Sequence, residues 1–266
     1  METRKKISLA VLGVLWMVQF GSVAMAEEEK PTADLSVSAL SKYVWRGFEY
    51  SKDSIVIQPS MTVGYKGFSA NVWGNVDTDV YSADPTVSTT NAWNETDFTL
   101  AYDWTVGPVG MTAGYIYYGL DGFEDTQEIF AKASLDTILA PTVAVYRDFD
   151  HAPAWYVTFG VSHSVPLTEK IGLDLGAQVG YLSADDVDDI EEVDSSFAGT
   201  GNEYSGFHDG LLTASITIPV GEYIAVTPGV NYSFPLSSKA GDLIESSSMS
   251  GKDNFVYGGV TVSMAF

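Results

Sequence analysis

Asn254-Phe255-Val256-Tyr257-Gly258-Gly259-Val260-Thr261-Val262-Ser263-Met264-Ala265-Phe266 closes the chain and decides its fold. From Val256 the even positions are Val256, Gly258, Val260, Val262, Met264 and Phe266, and the odd ones are Tyr257, Gly259, Thr261, Ser263 and Ala265. A period of two puts each set on its own face of a strand. One face is apolar to the last residue, and about 9–11 residues suffice for a tilted strand to cross a bilayer. Nothing in hydrocarbon can hydrogen-bond a free strand edge, so a strand in lipid must be paired on both sides. The rest of the chain is therefore expected to close a barrel around this one.

Eleven further segments carry the same rhythm, at 34–46, 55–66, 68–77, 95–105, 111–120, 127–136, 142–149, 155–165, 171–181, 211–220 and 224–234. In the first, Leu35, Val37, Ala39, Tyr43 and Trp45 oppose Ser36, Ser38, Lys42 and Arg46. In the sixth, Ile129, Ala131, Ala133 and Leu135 oppose Lys132 and Ser134. The seventh is irregular. The parity of Val143 and Val145 turns Arg147 outward, which calls for a bulge or for an arginine lying at the membrane interface.

Connections alternate in length. Those at 48–54, 78–94, 121–126, 150–154, 183–210 and 235–253 are the longer set, and those at Lys66-Gly67, 106–110, 137–141, 166–170 and 220–223 are short. Short turns on one side and longer loops on the other, with both termini on the short side, are the mark of outer-membrane barrels. Tyr65, Phe68, Tyr102, Trp104, Tyr223 and Phe266 fall near short turns. Tyr43, Trp45, Tyr117, Trp155, Tyr181, Tyr232 and Phe234 fall near long loops, so two aromatic girdles are expected. The fold class is all-β, a transmembrane antiparallel up-and-down barrel of about 12 strands.

The N-terminus has its own grammar. Arg4, Lys5 and Lys6, an apolar run from Ile7 to Phe20 and a small-residue site ending Ala24-Met25-Ala26 read as a signal peptide over 1–26, leaving the barrel at 27–266. The first strand then begins about eight residues on, which leaves no room for a plug domain, and the C-terminal strand leaves none for a passenger or peptidoglycan-binding domain. There is no cysteine, so no disulfide framework is expected. The net charge of −22 argues against nucleic acid as a partner. Outer-membrane lipid, lipopolysaccharide, the barrel-assembly machinery acting through the C-terminal strand, and small solutes are the partners to expect in a Gram-negative cell.

Chemistry in the sequence is sparse. His151, His163 and His208 lie near loops or strand ends, and none sits in a nucleophile motif. No enzyme and no cofactor are expected. Asp185-Asp186-Val187-Asp188-Asp189-Ile190-Glu191-Glu192-Val193-Asp194 is rich in carboxylates but lacks the glycine and spacing of an EF-hand. It reads as a solvated, disordered loop tip, with a weak divalent-cation site as the alternative. Inward parity makes Lys42, Arg46, Asn75, Asp77, Asp97, Asp103, Lys132, Asp174, Gln178 and Asn231 the candidate pore-lining residues, with Gln58 and Asn71 beside them. Trp73, Tyr118 and Tyr257 share that parity and would close the lumen if they filled it.

Ser41-Lys42-Tyr43-Val44-Trp45-Arg46-Gly47-Phe48 resembles the TorF-like (Gcw_chp) family of bacterial outer-membrane porins. The likeness continues through Gly67-Phe68-Ser69-Ala70-Asn71-Val72-Trp73-Gly74-Asn75-Val76-Asp77, Glu95-Thr96-Asp97-Phe98 and Gly114-Tyr115-Ile116-Tyr117-Tyr118. It covers roughly the first half of the chain. It implies an outer-membrane barrel with a channel function and specifies no substrate. The sequence as a whole is expected to give a small passive channel in the bacterial outer membrane for cationic or neutral solutes, the alternative being a non-conducting barrel that works through its acidic loops.

Overall fold

The computed structural model describes residues 30–82 and 90–266. The expected leader at 1–26 and the middle of the second long connection lie outside the described residues. Twelve antiparallel strands make one closed sheet. They are β1 Thr32–Leu40, β2 Val56–Tyr65, β3 Phe68–Asp77, β4 Ala92–Val106, β5 Val109–Leu120, β6 Thr126–Leu135, β7 Thr142–Asp148, β8 Ala154–Pro166, β9 Gly172–Ala184, β10 Ser205–Val220, β11 Ile224–Pro235 and β12 Phe255–Ala265. Each pairs with its neighbours in the chain. β1 and β12 meet from Asp34 opposite Ala265 to Leu40 opposite Gly259, which removes the last free edge.

The short turns have the geometry their residues favour. Lys66 and Gly67 join Tyr65 to its partner Phe68 with φ of 53° and 82°. Both central residues are left-handed, the twist that suits a two-residue hairpin. Between Val106 and Val109, Gly107 at φ 60° precedes Pro108, which has no N–H to lose in a turn.

Parity then sorts the side chains. Leu35, Val37, Met61, Val63, Leu100, Ile129, Phe159, Leu175 and Val262 stand on the outside and are all exposed. Ser36, Ser38, Gln58, Asn75, Asp97, Thr112, Thr227 and Thr261 face in and are buried. That is the inverse of a soluble protein. Among the described residues no helix is long and apolar enough to cross a membrane, and the apolar surface is a belt of strands. Aromatic pairs border it. Near the short turns Phe68 lies 4.6 Å from Tyr102 and Tyr223 6.0 Å from Phe266. Near the long loops Tyr232 lies 5.2 Å from Phe234 and Tyr181 5.6 Å from Phe207.

Arg147 does face outward, at the penultimate position of β7. Its guanidinium makes a bidentate pair with Asp185 at 2.7 and 2.5 Å and lies 5.2 Å from the centre of the Trp155 ring. The strand stops short of its neighbours, so the charge sits at the belt's edge, the second of the two arrangements the sequence allowed.

Two expectations are corrected. The first strand ends at Leu40 and does not run to Arg46. Val44–Trp45 and Phe48–Glu49 form a separate hairpin that turns into the lumen, taking Tyr43 and Trp45 out of the outer girdle. The acidic run is ordered, not a disordered tip. Glu191–Val193 pairs with Gly199–Glu203. The Asp194 carboxylate accepts from the Ser196 and Ala198 amides, Glu191 from the Gly201 amide, and Glu192 pairs with Lys239. Its carboxylates serve the loop's own backbone and neighbouring cations, and among the described residues no three histidine or carboxylate groups are placed to hold a metal ion.

One helix, α1 Ser238–Ser247, follows β11. Ser237 caps it by accepting from the Ala240 amide at 3.2 Å. Its Ala240, Leu243 and Ile244 join Tyr156, Leu182, Tyr204, Phe255 and Tyr257 in a small apolar cluster inside the long-loop mouth.

Candidate functional site

The hairpin after β1 has a sequence reason to form. Trp45 is opposite Phe48, and between them Arg46 and Gly47 take φ of 49° and 85°. At Gly47 a side chain is excluded twice. The left-handed φ disfavours it, and a Cβ would lie 3.0 Å from Ile244 Cδ1 and 3.1 Å from Asp209 Cβ. The turn is therefore pressed against α1 and β10. Tyr43 N–H donates to Ser51 Oγ at 2.8 Å and Tyr50 N–H to the Tyr43 carbonyl at 2.9 Å, which close the base of the hairpin.

At its tip Arg46 crosses the lumen. Nη1 and Nη2 donate to the two oxygens of Glu128, both at 2.7 Å, and Tyr118 Oη donates to Glu128 Oε2 at 2.9 Å. The guanidinium carbon lies 4.2 Å from the Trp45 ring centre, 4.4 Å from Tyr156 and 4.9 Å from Tyr146. The guanidinium is thus held by a planar fork-on-fork pair and three aromatic faces. Glu128 is 1% exposed, so its charge has the arginine in place of water.

A bulge completes the seat. Val179 of β9 opposes Gly210 and Tyr181 opposes Phe207, so His208 and Asp209 share one opposing residue, Gly180. Two residues against one re-aims both inward. Asp209 accepts from Tyr156 Oη at 2.8 Å. His208 Nε2 donates to the Arg46 carbonyl at 3.1 Å, which fixes the tautomer and leaves Nδ1 to accept from Tyr204 Oη at 3.0 Å.

Nearer the base, Lys42 pairs with Glu49, whose other oxygen accepts from the Ser250 amide at 2.7 Å. Burial pushes the Lys42 ammonium below its usual range, with nearby Asp53 acting against that. Tyr43 lies 5.8 Å from Trp73, and Trp45 lies 5.8 Å from Tyr118.

Every candidate pore-lining residue lies within the lumen. Lys42 and Arg46 reach it from the hairpin and not from a wall strand. Asn75 and Asp77 stand on β3, bonded to Gln58, Asn94 and the Asp79 amide. Asp97 lies opposite Trp73 and Tyr118 with one buried oxygen, Oδ1, unbonded. Asp103 accepts from Thr112 at 2.7 Å and attracts the Lys132 ammonium. Asp174 accepts from Ser164 and Thr217, and Gln178 and Asn231 line β9 and β11. Asp174, Gly176, Gln178, Thr213, Ser215 and Thr217 face inward and are part-exposed along β9 and β10, whereas Thr112, Lys132, Thr227, Thr261 and Ser263 towards the same end are buried. The long-loop half is filled by the hairpin, by Tyr118 and Tyr257, and by the apolar cluster.

Glu128, Glu49, His208 and Asp209 belong to the site and were absent from the sequence candidates. Glu128 shares the parity of Lys132, so alternation alone would have found it. The bulge that turns His208 and Asp209 together breaks alternation and leaves no such trace.

No family model matches the sequence, and no curated protein does. Among solved structures the barrel superposes on a NanC porin with a TM-score of 0.53 at 10% identity, over 88% of this chain and 98% of that one. The chain has the fold of outer-membrane β-barrels. Others of that kind align over similar lengths with lower scores. The OmpF complex with daunomycin from Salmonella typhi gives a TM-score of 0.40 at 9% identity, over 90% of this chain and 97% of that one. The translocator domain of the autotransporter NalP from Neisseria meningitidis gives 0.38 at 12%, over 91% and 90%.

Proposed function

We propose that this protein is a porin-like channel of the bacterial outer membrane, exported by its leader and narrowed by the hairpin at Val44–Glu49. The observation that carries the reading is the inverted wall: an apolar belt outside, and inside a polar lining of Ser, Thr, Gly, Asn and Asp that is part-exposed along β9 and β10. Such a belt needs lipid around it, and such a lining needs water within. The resemblance to the TorF-like family supports membership of that family, and its four motifs meet around the hairpin. Trp73, Asp97 and Tyr118 stand on the wall facing Tyr43, Trp45 and Arg46.

Selectivity follows from charge. The long-loop side carries the acidic stretch 185–194 on a chain of net −22, which concentrates cations at the mouth and repels anions. Cations and neutral solutes are the proposed cargo, lipopolysaccharide the surroundings of the loops, and the strand ending at Phe266 the segment the barrel-assembly machinery handles.

Planar-bilayer recording tests this. The purified protein should give discrete steps with a reversal potential on the cation side, and Arg46→Ala should enlarge them by loosening the hairpin. A chloride preference would overturn the selectivity. Silence from both proteins, each shown folded by heat-modifiable gel mobility, would favour the second reading, a non-conducting barrel working through its loops. That reading draws on the apolar cluster inside the long-loop mouth.

A further inference from the structure

The seat of Arg46 is built almost wholly by the wall. Glu128 comes from β6, Tyr118 from β5, Tyr146 from β7, Tyr156 from β8 and Asp209 from the β10 bulge; Trp45 alone belongs to the hairpin. With Arg46 lifted out, the wall would keep a carboxylate that is 1% exposed and already oriented by the Tyr118 hydroxyl. It would keep two tyrosine faces at cation–π distance, and a second carboxylate one hydrogen bond behind them. A buried carboxylate without its partner is costly, and it either takes up a proton or binds a replacement cation; the two tyrosine faces favour the cation.

We infer that this wall pocket is a binding site for solutes bearing a guanidinium group, with Arg46 as its resident, tethered occupant. The inference rests on the channel reading above and names a solute class for it. The geometry favours guanidinium over a simple ammonium. Two parallel N–H donors match the two Glu128 oxygens, and a planar, weakly hydrated cation stacks between tyrosine rings, whereas an ammonium is a compact, strongly hydrated point charge. A solute must compete with a tethered group whose effective concentration is at least millimolar, so the intact protein masks the pocket from dilute ligand.

The test is calorimetric titration of methylguanidinium into detergent-solubilised Arg46→Ala protein, with folding verified by heat-modifiable mobility; Arg46→Gln is titrated instead if Arg46→Ala does not fold. The expected result is saturable one-to-one binding on the order of a millimolar, at least about tenfold tighter than in the unaltered protein. Methylammonium should bind at least about tenfold more weakly, and Arg46→Ala with Glu128→Gln should lose the binding. No saturable heat, equal binding of the two probes, or binding that survives Glu128→Gln would each overturn the inference. Bilayer recording of the same variant keeps the two readings apart. A variant that conducts and binds no methylguanidinium would refute the pocket and leave the channel, and one that binds it and passes no current would do the reverse.

Discussion

At the residue scale the Arg46–Glu128 pair matters most. Each group alone is an uncompensated charge in a site with little water, so removing one partner should cost about 3–5 kcal/mol, whereas replacing both with apolar groups of similar size should cost far less. Arg46→Leu and Glu128→Leu are each expected to lower the midpoint of the heat-modifiable mobility shift markedly, and the double variant should recover most of the loss. Additive losses would mean the pair is not coupled. Arg46 also shows where sequence reasoning misplaces a residue. Tyr43 and Trp45 opposite Lys42 and Arg46 resume the alternation of β1 despite breaks at Leu40, Ser41 and Val44, so period alone extends the strand to Arg46. The contrary signal was Arg46-Gly47 between Trp45 and Phe48, a two-residue turn whose φ values no strand interior holds.

At the element scale the loop at 185–204 depends on ionised carboxylates. The Arg147 guanidinium holds Asp185 below the usual carboxylate range, and the Ser196 hydroxyl and amide, with the Ala198 amide, do the same for Asp194. A carboxyl lowered on folding stabilises the folded form above its unfolded value of about 4, and that contribution is lost as pH falls through the folded value. Hydrogen exchange, corrected for intrinsic rate, should show amides of 186–204 losing protection as pH falls below about 4 while the wall strands hold theirs. Unchanged loop protection at pH 3 would contradict this. The wall strands were legible because lipid on one side and a lumen on the other impose a strict period of two. The loop's order was not legible, because it comes from an arginine and backbone amides that the run of carboxylates does not reveal.

At the scale of the whole molecule, closure depends on how closely β1 and β12 approach. At Gly259 a Cβ would fall on the Ala39 carbonyl, and its neighbour Gly258 is crowded in the same way by the Gly229 carbonyl. The seam therefore passes one glycine, Gly259, that no larger residue can replace without moving the backbone, while Gly258 holds β12 close to β11 on its other side. Gly259→Val should leave the other strand pairs possible yet prevent closure, seen as loss of the heat-modifiable band and of assembled protein in membranes; a normal yield of closed barrel would refute it. The twelve-strand count, the sidedness of the loops and the seam between first and last strands were all readable beforehand. The occupied mouth was readable only through the inward parity of Tyr118 and Tyr257; the hairpin and α1 that complete it arise from contacts between stretches far apart in the chain.

The position of the hairpin sets an order of events. It lies directly after the first strand, so it is made early, yet its seat is contributed by β5 through β10 and by α1, which are made much later. The finished wall surrounds it on all sides. The pocket that holds Arg46 is therefore complete only after β10 has joined the sheet, long after the hairpin's own residues have been made.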